Sequence, residues 1–211
     1  MCGIVGYVGE KQAANFLIDG LTKLEYRGYD SAGIAVFDGE KINVAKSVGR
    51  LAALKEKIKN NTPEGVMGIG HTRWATHGRP SDVNSHPHTD CSGKFAIVHN
   101  GIIENYQEIR EKLIKNGYTF YSDTDTEVAV KLIDHYYKKY NEGPLDAMAR
   151  AMMRIRGTYA LAVMFKDYPE EIYAARKDSP MIIGVADGES FVASDVPAIL
   201  KYTRSVYYIG N

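Results

Sequence analysis

Met1-Cys-Gly-Ile-Val-Gly-Tyr-Val-Gly9 opens the chain with an apolar, β-prone run that starts at once. It reads as a short buried strand, so the terminus is expected to be tied into a sheet rather than frayed. Its second residue is a cysteine. Methionine is normally trimmed when the next residue is small. Trimming leaves Cys2 with both a thiol and a free α-amine. The thiol is a strong nucleophile but mostly protonated near neutrality. The amine has an unperturbed pKa of roughly 7.7–8.0, so it is a base at the same pH. Nucleophile and base then belong to one residue. The alternative is a small, inert thiol at the edge of a strand.

Outward from that strand, Ala13, Leu17, Leu21 and Leu24 fall at helical spacing. Tyr26-Arg-Gly-Tyr-Asp-Ser-Ala-Gly33 reads as a glycine-punctuated polar loop. Ile34 to Phe37 and Ile42 to Ala45 read as two strands around an Asp38-Gly39 turn. Leu51 to Lys59 reads as a helix and Met67 to His71 as a strand. A long polar segment runs from Thr72 to Gly93; it and the residue before it hold His71, His77, His86 and His88, four of the six histidines. Long irregular segments in compact domains are often functional. Phe95 to Val98 is a strand that should end at His99-Asn100-Gly101. Three helices follow, marked by Tyr106, Ile109 and Leu113, by Val128, Leu132, Tyr136 and Tyr140, and by Met148, Met152 and Ile155. The remainder is β-rich: Tyr159 to Phe165, Glu171 to Ala175, Met181 to Val185, Phe191 to Ala193 and Ser205 to Ile209, with a short helix over Pro197 to Tyr202. No linker or internal repeat interrupts the pattern, so one α+β domain over 1–211 is the expectation. The chain stops at Asn211 directly after an apolar run, as a piece of something longer does.

Composition narrows the function classes. Hydrophobic residues are 45% and charged residues 25%, the balance of an ordinary globular protein. Lys+Arg and Asp+Glu are both 26, which argues against nucleic acid or an anionic membrane as the main partner. No stretch reads as a signal peptide or a membrane span. Two cysteines, Cys2 and Cys91, are too few for a disulfide framework, so a reducing, cytoplasmic setting is expected.

Several residue groups suggest chemistry, each beside a plainer reading. The Asn100 side-chain amide and the Gly101 backbone N–H suit an oxyanion hole; Asn-Gly after an apolar run is equally a hairpin turn. Arg73-Trp-Ala-Thr-His77 gathers a guanidinium, the single tryptophan, a hydroxyl and an imidazole. Arg73 suits a carboxylate, or is a solvated surface charge; Trp74 is otherwise core. Asp125 follows Thr124, which with Glu127 fits a capping box. Asp125 either favours the helix dipole or binds an ammonium. His86-Pro-His88 with Asp90 and Cys91 raises a metal site, without the paired spacing of zinc proteins. Cys91 sits in an Asp-Cys-Ser-Gly turn.

These segments together resemble the glutaminase (class II glutamine amidotransferase) domain of the glucosamine-6-phosphate synthase family, the isomerizing glutamine–fructose-6-phosphate aminotransferases. The pieces that carry the likeness are Met1-Cys-Gly-Ile-Val-Gly6, Leu24-Glu-Tyr-Arg-Gly-Tyr-Asp-Ser-Ala-Gly33, Gly70-His-Thr-Arg-Trp-Ala-Thr-His-Gly78, Asn84-Ser-His-Pro-His88, Val98-His-Asn-Gly-Ile-Ile-Glu-Asn105 and Ser122-Asp-Thr-Asp-Thr-Glu127. The resemblance implies a four-layer αββα sandwich of the N-terminal-nucleophile hydrolase type. It implies Cys2 as nucleophile with its own amine as base, and Asn100 and Gly101 as the oxyanion hole. Arg73 takes the α-carboxylate of L-glutamine and Asp125 its α-ammonium, helped by Thr76, His77 and Gly101. Trp74 shields or gates the site and Arg27 supports the nucleophile. No metal and no cofactor are implied. The same likeness implies sugar-isomerase domains after this one, in a full-length enzyme that is a homo-oligomer. A retained Met1 converts the catalytic amine into a peptide nitrogen and is expected to abolish activity.

Overall fold

The structure, a computed structural model, describes residues 2–210, so Met1 and whether its removal frees Cys2 lie outside the described residues. The opening run forms strand β1 (Gly3–Val8) and the first helical pattern forms α1 (Ala13–Leu24). They are followed by β2 (Ser31–Phe37), β3 (Ile42–Val48), α2 (Leu51–Ile58) and β4 (Met67–Arg73). The short β5 (His88–Thr89) precedes β6 (Phe95–Ile103). Three helices come next, α3 (Tyr106–Lys115), α4 (Asp125–Tyr140) and α5 (Pro144–Met152). The chain closes with β7 (Gly157–Phe165), β8 (Ile172–Lys177), β9 (Ile182–Ala186), β10 (Glu189–Ala193) and β11 (Ser205–Tyr208).

The strands form two antiparallel sheets, ordered β11-β9-β10-β1-β4-β2-β3 and β5-β6-β7-β8. Alternation along each strand sends side chains to two different cores. Val5, Ile34 and Val36 face α1 and α2 with Leu17, Leu21 and Leu54. Ile97, Leu161 and Val163 face α3, α4 and α5 with Leu113, Ile133 and Met148. The alternate positions, Ile4, Ala35 and Ile69 from the first sheet and Ala96, Val98 and Ala160 from the second, meet between the sheets. Helices, sheet, sheet, helices is the four-layer αββα sandwich expected. Gly68 and Gly70 lie on the α1 side of β4, where an added Cβ would stand 2.9 Å and 3.2 Å from the Leu17 and Leu21 methyls; their bareness lets the helix close.

Some boundaries differ from the sequence reading. β6 does not turn at Asn100-Gly101. Its register with β7 is continuous from Phe95↔Phe165 to Ile103↔Gly157, so the pair sits inside a strand. β2 starts three residues early, at Ser31, because Ser31↔Arg73 still pairs it with β4. The polar segment after β4 contains β5, held by His88↔Ile97. Ile155 is buried but follows the end of α5, and the helix expected over Pro197 to Tyr202 is a single turn, Val196–Ala198. The capping box is half made. Thr124 Oγ1 accepts from the Glu127 N–H at 3.2 Å, but the Glu127 carboxylate turns to the backbone of Tyr121 and Ser122 and to Lys131. Lys131 is fully buried, and its charge draws the carboxylate away from the helix start.

Candidate active site

The site is the polar continuation of the core between the sheets. On β4 the inner-facing Met67 and Ile69 are followed, two residues at a time, by His71 and Arg73. On β6 the inner-facing Ala96 and Val98 are followed by Asn100. The β1–β4 register pairs Gly3 with Thr72, and one further step sets Cys2 beside Arg73 at the open end of the sheet. Across from them the N-terminus of α4 brings Asp125. Cys2, Arg73, Trp74, Thr76, His77, Gly101 and Asp125 line one narrow cleft. Asn100 joins it through Cys2.

The backbone of Cys2 is held twice. Its carbonyl accepts from Arg27 Nε at 3.0 Å and from Asn100 Nδ2 at 3.1 Å. Arg27, itself buried, is anchored by Asp195 at 3.1 Å. The Trp74 N–H donates to Cys2 Sγ at 3.1 Å. Burial pushes the thiol pKa up, and the hydrogen bond from Trp74 opposes that. The group is therefore a thiol at neutral pH until a base takes its proton. Trp74 is not core: its indole is half-exposed and stands edge-on to Tyr29 with centroids 5.3 Å apart.

Arg73 is not a solvated surface charge. It is 3% exposed, and its Nη2 is bound by the carbonyls of His77 and Gly78, the latter at 2.9 Å. Among the described residues its Nη1 has no hydrogen-bond partner, and the nearest carboxylate, Asp30, stands at 3.9 Å. A buried guanidinium with a spare N–H is suited to an incoming carboxylate. Asp125 receives the Ile103 N–H at 2.9 Å and stands 3.9 Å from His77 Nδ1 and 4.0 Å from His99 Nδ1. The His77 ring is turned edge-on to Tyr106. One fixed cation and one fixed anion thus face the same cleft.

Gly101 has φ +120°, and a Cβ there would stand 2.1 Å from the Thr158 carbonyl oxygen. Only glycine holds that conformation inside the strand without strain. The histidines proposed as metal ligands are engaged with the protein: His86 Nδ1 accepts from the His99 N–H and His88 Nε2 pairs with Thr124 Oγ1 at 3.0 Å. Asp90 holds Ser92 and Phe95. Cys91 is exposed and does not line the cleft. It lines a wider hollow with Lys46, Glu127 and Lys131, whose charges are spent on the Ser85 carbonyl and on each other. Sequence reasoning passed over His71, His99, Thr126, Asp30 and Asp195. The two-residue period through Ile69 marks His71; nothing local marks the others.

The arrangement matches a known family. A model of the glutamine amidotransferase domain matches residues 71–201. The chain belongs to that family. The isomerizing glutamine–fructose-6-phosphate aminotransferase of Caldanaerobacter subterraneus is 56% identical over 211 residues, 100% of this chain and 34% of that protein. The protein of the same name from Pyrococcus horikoshii is 52% identical over 211 residues, again 100% of this chain and 35% of its own length. The chain therefore spans about a third of the length of the curated relatives it matches. Among solved structures, the glutamine phosphoribosylpyrophosphate amidotransferase of B. subtilis, complexed with ADP and GMP, superposes with a TM-score of 0.83 at 27% identity, over 99% of this chain and 44% of that one. The fold is that of the N-terminal-nucleophile hydrolases in their class II amidotransferase form.

Proposed function

We propose that this domain, residues 1–211, hydrolyses L-glutamine to glutamate and ammonia through a thioester on Cys2. The observation that carries the reading is the convergence on Cys2 of a buried arginine with a spare N–H and a buried aspartate, Arg73 and Asp125. An amino acid presents a carboxylate and an ammonium at fixed separation, and these two charges read both ends. Thr76 and His77 complete the wall, and Trp74 shelters the thiol. With Met1 removed, the Cys2 amine takes the thiol proton, directly or through water. The thiolate attacks the side-chain amide carbon. Asn100 and Gly101 hold the oxyanion while the C–N bond breaks and ammonia leaves with that proton. Water then cleaves the thioester to glutamate. Arg27 and Asn100, by holding the Cys2 carbonyl, fix the nucleophile against the bound amide. No metal or cofactor enters these steps.

In the full-length protein the ammonia serves synthesis of glucosamine 6-phosphate from fructose 6-phosphate, on sugar-isomerase domains of the same chain, in a homo-oligomer of the cytoplasm. The relatives' names, their about threefold greater length and the high identity over all of this chain support the amino-sugar synthesis and the further domains. The structural neighbour with a phosphoribosylpyrophosphate name supports a second reading, the glutaminase of another class II amidotransferase, at about half the identity. Glutamate release by processed protein tests the glutaminase. Activity that a chelator abolishes and zinc restores overturns it in favour of the histidine cluster.

A further inference from the structure

His71 takes no part in the steps above, yet it is fully buried between the sheets. Its Nε2 lies 2.9 Å from the His99 carbonyl oxygen and 3.0 Å from Asn100 Oδ1. A peptide carbonyl only accepts, so Nε2 carries the hydrogen. Burial pushes the ring pKa down to about 3, so the imidazole is neutral and holds one hydrogen. Its Nδ1 is then bare, and it has no partner among the described residues. The His86 ring stacks on it with centroids 4.1 Å apart and planes at 23°, which fixes its tilt. His86 in turn accepts from the His99 N–H at 3.4 Å, so the stack is tied to the strand that carries Asn100.

We propose that His71 is a positioning residue that sets the side-chain amide of Asn100 for catalysis. An amide that meets an imidazole N–H presents its oxygen, because its NH2 would oppose donor to donor. Oδ1 therefore turns to His71 and Nδ2 turns to Cys2, donating to the Cys2 carbonyl at 3.1 Å. The NH2 has two hydrogens. One is spent on that carbonyl; the other is free for the oxyanion. A flipped Asn100 presents an oxygen to the developing negative charge instead. The His99 carbonyl fixes the His71 tautomer, and the tautomer fixes which end of Asn100 faces the reaction. The inference rests on the oxyanion role of Asn100 proposed above.

The test is glutaminase kinetics on the processed protein with His71→Gln, His71→Asn and His71→Leu, alone and with Asn100→Ala. A glutamine side chain carries its amide nitrogen about as far as Nε2, and an asparagine side chain only about as far as Nδ1. Asn100→Ala should lower kcat by about 10²–10³-fold. His71→Asn and His71→Leu should lower kcat by about 10–100-fold with the KM for glutamine held within about twofold, and His71→Gln should recover most of that loss. Combining His71→Asn with Asn100→Ala should cost no more than about threefold beyond Asn100→Ala alone, because the two act through one amide. Equal rates for the Gln and Asn variants, multiplicative losses in the double variant, or a change confined to KM overturns the inference. If His71→Leu does not fold, the Gln and Asn pair still decides. If Asn100→Ala alone leaves kcat unchanged, the oxyanion reading fails first and the inference falls with it.

Discussion

At Cys2 the thiol is a poor nucleophile as it stands. Burial raises its pKa, and the Trp74 N–H offsets only part of that. The charges proposed to bind glutamine carry a different burden, since Asp125 also holds the Ile103 N–H. Asp125→Asn keeps an oxygen for that N–H and removes the charge, so it separates binding from folding. Losing one partner of a buried charge pair costs on the order of 2–5 kcal/mol. Steady-state kinetics should show kcat/KM falling by about two orders of magnitude with little change in melting temperature; unchanged kcat/KM leaves Asp125 as a helix-start residue only. The neighbouring histidines make a separate prediction. Burial lowers the pKa of His71 to about 3 and those of His86 and His88 well below the ordinary imidazole value, so the folded state keeps these three neutral. The unfolded chain takes protons on all three as pH drops through about 6.5, and folded stability is lost from there downward. At pH 5.5 each such group costs about 1.4 kcal/mol relative to pH 7.5. Urea denaturation at the two pH values should differ by several kcal/mol, before most carboxylates protonate. Equal stabilities contradict burial of neutral imidazoles.

At the scale of elements, β1 and α1 were legible because their apolar spacing is regular and long enough to declare its period. The β6 boundary was not. Asn-Gly carries a strong turn signal, and here pairing with β7 overrides it, with Gly101 absorbing the departure at φ +120°. Gly101→Ala should therefore destabilise the protein by about 1–3 kcal/mol or more, read by chemical denaturation, since the new methyl meets the Thr158 carbonyl. A neutral effect contradicts the strand geometry. The first turn of α4 was read as a capping box of Thr124 with Glu127, and only the Thr124 half holds. The role of Glu127 depends on Lys131, one helical turn on, and no local spacing told that this lysine would be buried. Thr124→Ala removes both the cap and the His88 contact and should cost about 1–2 kcal/mol. Most of the site was legible only as a combination. Cys2, Arg73, Asn100 and Asp125 lie on four separate elements or their ends. What joins them is sheet register and the two-residue alternation that turns the inner stripe of β4 and β6 from apolar to polar. Arg27 and Asp195 could not be paired from sequence, because 168 positions separate them.

For the whole molecule, the four layers place Cys2 at one edge of an inter-sheet core, and this third of the relatives' length contains every residue proposed above for the glutaminase steps. The purified chain given fructose 6-phosphate and glutamine should release glutamate and form no glucosamine 6-phosphate. Finding that product means the division of labour is wrong. The central claim is that the two functional groups of Cys2 act together. Its most direct test uses a glutamine analogue bearing an electrophile at the side-chain carbonyl position, with intact mass defining whether Met1 is present. Docked on Arg73 and Asp125, the analogue holds its electrophile at the thiol, positioning worth roughly 7–11 kcal/mol of barrier. After brief exposure, peptide mapping should find one label on Cys2 of the processed protein, none on the exposed Cys91, and little on protein that retains Met1. Labelling mainly at Cys91, or equal rates with and without Met1, contradicts the account.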